Sequence, residues 1–172
     1  VYRMTTGMGK SMQELLAASV ELNVVDGVIL PNLKMQGTEE ACAYLDEEGR
    51  CSIHPYRPGI CRLFPLGRYY ENGGFSYFLQ TGECAKENRS KIKVSKWIDT
   101  PDLTRNQQFT LQWHDLLHAM EERLTGEDEG KQQEENLLLL RLFYLLPYEG
   151  TIDFYTQFTE RMEHWNGKNG QI

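Results

Sequence analysis

Cys42, Cys51, Cys61 and Cys84 are the four cysteines of a 172-residue chain, and all fall within one quarter of it. Thiolates are soft, polarizable donors that suit Zn²⁺ and iron–sulfur iron, and four of them complete a tetrahedral structural site or hold one cluster. A shared metal centre is therefore the leading reading. The cysteines are separated by eight, nine and twenty-two residues, none of these being the tight C-x₂-C of zinc ribbons or ferredoxins. The argument rests on the clustering and on what lies between. Pro55, Pro58 and Pro65, with Gly49 and Gly59, forbid a long helix and force a turn-rich path. Such a path can bring distant cysteines to one point, so at least three of the four sulfurs are expected close enough to share one centre.

The run C-x₈-C-x₉-C, with Arg57-Pro58 before the third cysteine and Arg62-Leu63-Phe64-Pro65 after it, resembles the YkgJ-type cysteine-cluster family, described as zinc- or iron-chelating. The resemblance covers roughly residues 40–98, with a weaker match in the segment from Ser11. It implies a metal site in which Cys42, Cys51, Cys61 and Cys84 are ligands. Members of that family carry a further C-x₂-CC-like cluster near the N-terminus, and no cysteine precedes Cys42 here. Since the chain also begins with Val1, the expectation is a fragment that has lost its first ligands, with a member of reduced site as the competing reading.

The elements that must position these residues follow from local pattern. Ser11-Met12-Gln13-Glu14 has capping-box spacing, so a helix should start there. Met12, Leu15, Ala18 and Leu22 share one face of it, and it should end near Asn23. Val24–Met35 reads as strand and turn broken at Pro31-Asn32, with Leu30 and Leu33 buried. Ala43–Leu45 and Arg50–Ile53 around the acidic turn Asp46–Gly49 read as a short hairpin, placing Cys42 and Cys51 on neighbouring strands. A second hairpin joins Leu66–Tyr70 to Phe75–Leu79 through Asn72-Gly73, a pair suited to the positive φ angles of a tight turn. Its aromatic residues should pack as core.

Beyond Cys84, Lys86–Ile98 is expected as a short helix with Ile92 and Trp97 inward. Pro101 suits the first turn of the next helix, which should run to about Leu124. Along it Phe109, Trp113, Leu116, Leu117, Met120 and Leu124 recur at helical spacing. Thr125–Gly130 reads as a linker, and two further helices are predicted at about Gln133–Leu146 and Ile152–Trp165. The fold class is thus α+β: a small antiparallel, hairpin-rich cysteine module with a mostly helical C-terminal half. The expected division is a cysteine-cluster metal-binding domain at 1–100 and a helical extension packed on it at 101–172. The candidate surface for a protein partner is the helical extension.

A hydrophobic fraction of 40%, an aromatic fraction of 11% and a net charge of −7 describe a folded chain rather than a disordered one. The longest apolar run, Leu137–Leu146, is ten residues interrupted by Arg141, too short to span a bilayer. The cytoplasm is the expected compartment, where clustered thiols are more often ligands or redox groups than disulfides. Two disulfides in a secreted protein are the competing reading.

Residues 50–96 carry nine Lys or Arg against three acids, a balance of +6, and leave −13 to the remainder. A centre bound by four thiolates has about two net negative charges, which nearby guanidinium groups stabilise. Arg57 and Arg62 are the candidate cofactor-binding cations; they could donate to sulfur, pair with carboxylates or bind an anionic ligand. Lys86–Lys96 is read as a solvated helix face. The acidic remainder, and the lack of a reading motif, weigh against nucleic-acid binding.

His114 and His118 stand four apart on the long helix, the spacing of a zinc protease, but Asp115 follows where the catalytic glutamate would be; a structural role is expected. His54, between Cys51 and Cys61, is the better extra ligand candidate. No phosphate-binding glycine loop and no nucleophile elbow are present. Two classes remain open. One is a zinc- or iron–sulfur-binding module of structural or assembly role. The other is an iron–sulfur-dependent enzyme, since flagellin lysine methylases contain a domain resembling this family, and the resemblance would imply methyl transfer or redox chemistry.

Overall fold

The computed structural model describes residues 1–83 and 91–169. The chain opens with helix α1 (Tyr2–Met8), which the sequence reading did not anticipate and which Gly9 ends in the left-handed region. Helix α2 (Met12–Ala18) follows and starts as the spacing predicts. Glu14 N donates to Ser11 Oγ at 3.2 Å, and the Glu14 carboxylate accepts from Ser11 N at 2.8 Å. Those bonds from the Ser11 backbone and hydroxyl, helped by nearby Lys10, hold the Glu14 carboxyl below its ordinary value.

Helix α2 ends at Ala18 rather than near Asn23, because Val20–Val25 is taken into strand β1. Val20, Val24 and Val25 are β-branched, which disfavours helix and suits a pleated strand. β1 pairs antiparallel with β2 (Val28–Leu33) around Asp26-Gly27, both at positive φ. Leu22, expected on the buried helical face, is exposed, while Leu30 and Leu33 are half-buried rather than buried. Pro31 sits inside β2 opposite Leu22; in a two-stranded ladder half the N–H groups face away from the partner, so a proline there costs no bond.

A minimal pair follows, β3 (Met35–Gln36) with β4 (Ala41–Cys42). The expected second hairpin is present as β5 (Leu66–Glu71) and β6 (Gly74–Leu79), turning at Asn72-Gly73 with both residues at positive φ. The short helix α3 (Gly59–Leu63) precedes it, and α4 (Val94–Ile98) follows. α4 is shorter than expected because Lys93 is extended; the Lys86–Ser90 part of that expectation lies outside the described residues. Its buried residue is Ile98, whereas Ile92 and Trp97 are exposed.

Helix α5 (Leu103–Leu124) starts two residues after Pro101, since Asp102 caps it by accepting from Arg105 N at 3.0 Å. It ends at the expected Leu124. Asp128 caps α6 (Glu129–Leu140), so the expected linker is partly helix. α6 passes into a wider turn, Arg141–Leu145, before Pro147, and α7 (Phe154–Asn169) completes the chain. The architecture is α+β as expected, with three antiparallel hairpins in the N-terminal half and helices dominating the C-terminal half. No helix among the described residues is long and apolar enough to cross a membrane.

Contacts group the chain into two units, Val1–Tyr56 with Leu116–Ile172, and Arg57–Asp115. In the first, Met4, Met12, Leu15, Val20 and Ile53 form one apolar cluster, against which Tyr44, Cys51 and Tyr144 pack. Leu139, Leu140, Phe143, Phe158 and Trp165 are also buried, with Phe143 5.8 Å from Phe158 and 6.2 Å from Trp165 between ring centres. Buried polar side chains complete this unit. Asn136 on α6 accepts from Ile29 N at 2.6 Å and donates to Gly27 O at 3.0 Å, fastening the β1–β2 turn. Gln157 binds Glu149 N, Glu149 O and Ile152 O at 2.8–2.9 Å, and Arg161 donates to Leu142 O, Leu146 O and Pro147 O.

Two outcomes follow for this unit. Asn136→Leu leaves a backbone donor and a backbone acceptor stranded, at about 1–3 kcal/mol each when buried. It should lower the urea midpoint and speed hydrogen exchange at Ile29 before the α7 amides change. Burial pushes the Tyr144 phenol well above its ordinary range, and Tyr148 upward as well against the opposing pull of Arg161. The charged form is the deprotonated one, so the unfolded chain loses this proton first. The stabilisation is intact below pH of about 10, the unfolded tyrosine value, and falls as pH rises above it. Urea midpoints measured across that range should drop in the parent protein and drop less in Tyr144→Phe.

Candidate metal centre

Cys42 lies on β4, paired across the ladder with Met35, and is half-buried. Its carbonyl accepts from Leu45 N at 3.0 Å, which turns the chain into the Asp46–Gly49 loop. That loop is the acidic turn expected: Asp46 N donates to Arg50 O, and Asp46 Oδ1 accepts from Glu48 N and Arg50 N. Leu45 and Cys51 form a single antiparallel bridge, and Ser52 N returns to Tyr44 O at 2.8 Å. The hairpin is therefore one bridge long, and the strand partner of Cys42 is Met35 rather than the Cys51 segment. The reason is Gly37 at positive φ and Glu40 likewise, which fold residues 35–42 back on themselves first.

Cys51 is half-buried against the apolar cluster of the first unit. Tyr44 beside it is held by a short hydrogen bond between its hydroxyl and that of Ser19. After Cys51 the chain makes the 3-10 turn His54–Tyr56, with His54 exposed and its N–H donating to Cys51 O. The Tyr56 ring lies against Gly7 of α1, so closely that a side-chain carbon at position 7 would overlap it. A glycine is required there by this approach.

Cys61 is the central residue of α3 and is half-buried, in the Arg57–Asp115 unit. Arg62 beside it is buried, and its Nη1 donates to the Asp99 carbonyl at 3.0 Å and to the Asp99 carboxylate at 3.2 Å. Trp97 Nε1 donates in the same unit to the carbonyls of Leu63 and Phe64, at the open end of α3. Of the three uses considered for Arg62, pairing with a carboxylate is the one present. Arg57 forms no ion pair among the described residues, and its buried Nε has no hydrogen-bond partner among them. Cys84 lies outside the described residues.

Among the described residues, no three His, Cys, Asp or Glu side chains are grouped so as to hold a metal ion. His114 stacks on the Tyr70 ring at 3.7 Å between centres, and His118 lies 3.5 Å from Glu121 and 3.7 Å from Glu122. Sequence reasoning missed Arg68 and Tyr77 on the β5–β6 hairpin, whose Nε and hydroxyl are buried and likewise lack a partner among the described residues. Their signal was available, because Arg68 alternates in phase with Tyr70 on a strand whose other residues on that face are apolar or aromatic.

The model of the CxxCxxCC family, described as "Putative zinc- or iron-chelating domain", covers residues 8–101. No curated protein and no solved structure matches.

The Arg62–Asp99 contact separates a buried donor from an exposed acceptor. The Asp99 side chain is 80% exposed and that of Arg62 9%, so solvent screens the ion pair and Asp99→Ala should cost under about 1 kcal/mol. The carbonyl bond survives that change. Arg62→Ala removes both bonds and its packing, and should cost about 2 kcal/mol or more, read by urea unfolding with tryptophan fluorescence.

Proposed function

This chain belongs to the CxxCxxCC cysteine-cluster family, and on that premise we propose that it binds zinc or an iron–sulfur cluster through Cys42, Cys51, Cys61 and Cys84, in a structural or assembly role. The observation that carries this reading beyond family membership is Arg57. A buried guanidinium N–H without an acceptor is costly, and Arg57 stands four residues before Cys61 in the turn-rich run Arg57-Pro58-Gly59-Ile60-Cys61. A metal-bound thiolate is an anionic acceptor of the kind that such a donor satisfies. Cys42 and Cys51 are free, half-buried thiols, available as ligands without being locked in the core.

Bound by thiolates, zinc or a cluster supplies a rigid cross-link and, for iron, a redox couple. The chain's own residues do the rest. Arg57 donates to sulfur and offsets its charge, Arg62 positions α3 through Asp99, and Tyr44 and Ile53 seat the Cys51 side in the apolar cluster. Thiol ligands of this kind suit a reducing compartment such as the cytoplasm. The helical C-terminal half is the surface we propose for a protein partner.

A structural role has an energetic consequence. Few apolar side chains of residues 42–83 are buried, Ile53 and Leu63 being the hydrophobic ones, so burial alone holds this stretch weakly against chain entropy. Structural metal binding contributes on the order of 10 kcal/mol, more than the net stability of many domains. Cys61→Ser should therefore lower metal content and raise hydrogen exchange around Tyr44, Ile53 and Tyr70 more than in α6 and α7. Arg57→Leu should weaken metal retention about tenfold or more. Metal analysis and the visible spectrum of anaerobically purified protein assign zinc or an iron–sulfur centre. Loss of metal with unchanged protection at those three residues would remove the structural role in favour of a redox or catalytic one; full metal retention in Cys61→Ser would remove Cys61 as a ligand.

A further inference from the structure

The two edges of the β1–β2 hairpin differ. Ladder bonds alternate along an antiparallel strand, so every second residue turns its N–H and C=O away from the partner strand. Lys34 N donates to Ser19 O at 2.9 Å, continuing the ladder, whereas Ile29 N turns outward to Asn136. Ile29, Pro31 and Leu33 therefore face outward on β2, and their register partners Val24, Leu22 and Val20 face outward on β1. The β2 edge is closed, since Asn136 takes the Ile29 N–H and Pro31 has none to offer. The β1 edge carries no proline and no lysine. Glu21–Val25 are all exposed, Leu22 at 43% and Val24 at 69%. Among the described residues, the outward N–H and C=O groups of Leu22 and Val24 form no hydrogen bond.

An open apolar edge of this kind is a template for one more strand, and its own sequence says which. Val20 is buried, so the groups that can pair are those of Leu22 and Val24, with Asn23 midway between them. Laid antiparallel about Asn23, a second copy sets Leu22 against the partner's Val24 and Val24 against the partner's Leu22, and each pair exchanges both ladder bonds. Every outward group of Leu22 and Val24 is then used. Asn23 meets the partner's Asn23 on the twofold axis, where an amide, being both donor and acceptor, is its own complement. Glu21 comes opposite the partner's Val25. Four residues at about 3.3 Å each hold the two Glu21 carboxylates about 13 Å apart along the strands, beyond a Debye length of about 8 Å. Other axes fit worse: one at Leu22 pairs Val24 with the buried Val20, one at Glu21 opposes two carboxylates, and one at Val24 sets Leu22 against Asp26 in the turn.

We propose that the β1 edge pairs with the β1 edge of a second copy of this chain, antiparallel about Asn23, joining two hairpins into one four-stranded sheet. On one face of that sheet Leu22, Val24, Ile29 and Pro31 of each copy form a continuous apolar strip. Isolated two-stranded hairpins are marginal, and added strands stabilise them. The pairing uses no cysteine, so it does not depend on the metal reading.

A short edge lies at the weak end of the interface range. The full chain, kept reduced, is therefore followed by sedimentation equilibrium from about 10 µM to about 1 mM, the range of weak association. A reversible monomer–dimer equilibrium is expected, with amide exchange at Leu22 and Val24 slowing as concentration rises and that at Ile29 unchanged. Val24→Pro removes an outward N–H without touching the ladder to β2, as Pro31 does on the other strand, and should weaken the dimer about tenfold or more. If that variant does not fold, Asn23→Asp decides, because it opposes two carboxylates at the axis and should weaken the dimer about fivefold or more at neutral pH. A monomer up to the highest concentration would leave the edge to a partner of another sequence and overturn the proposal. So would a dimer as tight in the deciding variant as in the parent, or assembly that grows past the dimer.

Discussion

The amide of Asn136 accepts a hydrogen bond from Ile29 N and donates one to Gly27 O, and no apolar residue could stand there without leaving both backbone groups stranded in the interior. It acts across more than a hundred residues of sequence, joining α6 to the turn of the first hairpin. Around it the apolar cluster of Met4, Met12, Leu15, Val20 and Ile53 is small. With two-stranded hairpins there is no central strand to satisfy the ladder on both sides, so polar side chains must complete what the sheets leave open.

The same solution recurs at other breaks in the helices. Leu146 N bonds Arg141 O in the wide turn after α6, and Pro147 cannot continue the helix, which frees carbonyls at Leu142, Leu146 and Pro147. Arg161 takes all three while its guanidinium lies 3.5 Å above the Tyr148 ring. Gln157 closes the next loop, 149–152, in the same way. In the Arg57–Asp115 unit, Arg62 and Trp97 serve Asp99 and the end of α3. A cation used so is spent on the fold, which distinguishes Arg62 from Arg57 and Arg68.

That distinction organises the chemistry. The basic stretch 50–96 divides by what each side chain meets: Arg50 pairs with Asp46 and Glu48 and Arg62 with Asp99, while Arg57 and Arg68 form no ion pair among the described residues. Arg57 belongs by sequence with Cys61 and the proposed metal site. Arg68 belongs by strand register with Tyr77 and a ring of aromatics.

What could be read without coordinates was what local chemistry dictates. The capping box at Ser11, the Asn72-Gly73 turn, the apolar spacing that carries α5 to Leu124, and the cysteine run that marks the family all depend on residues within a few positions of one another. Asp26-Gly27 carries the same turn signal as Asn72-Gly73, but Met12, Leu15, Ala18 and Leu22 fit a helix equally well, and pairing with β2 decided that Val20 onward is strand. Only the tertiary structure showed that Ile98 rather than Trp97 is buried, that Arg62 answers Asp99, and that Arg68 Nε and the Tyr77 hydroxyl lack hydrogen-bond partners among the described residues. Each depends on which distant group arrives at a given donor. Local propensity describes the cost of a backbone conformation, whereas satisfaction of a buried polar atom is settled by neighbours that only the folded chain brings together.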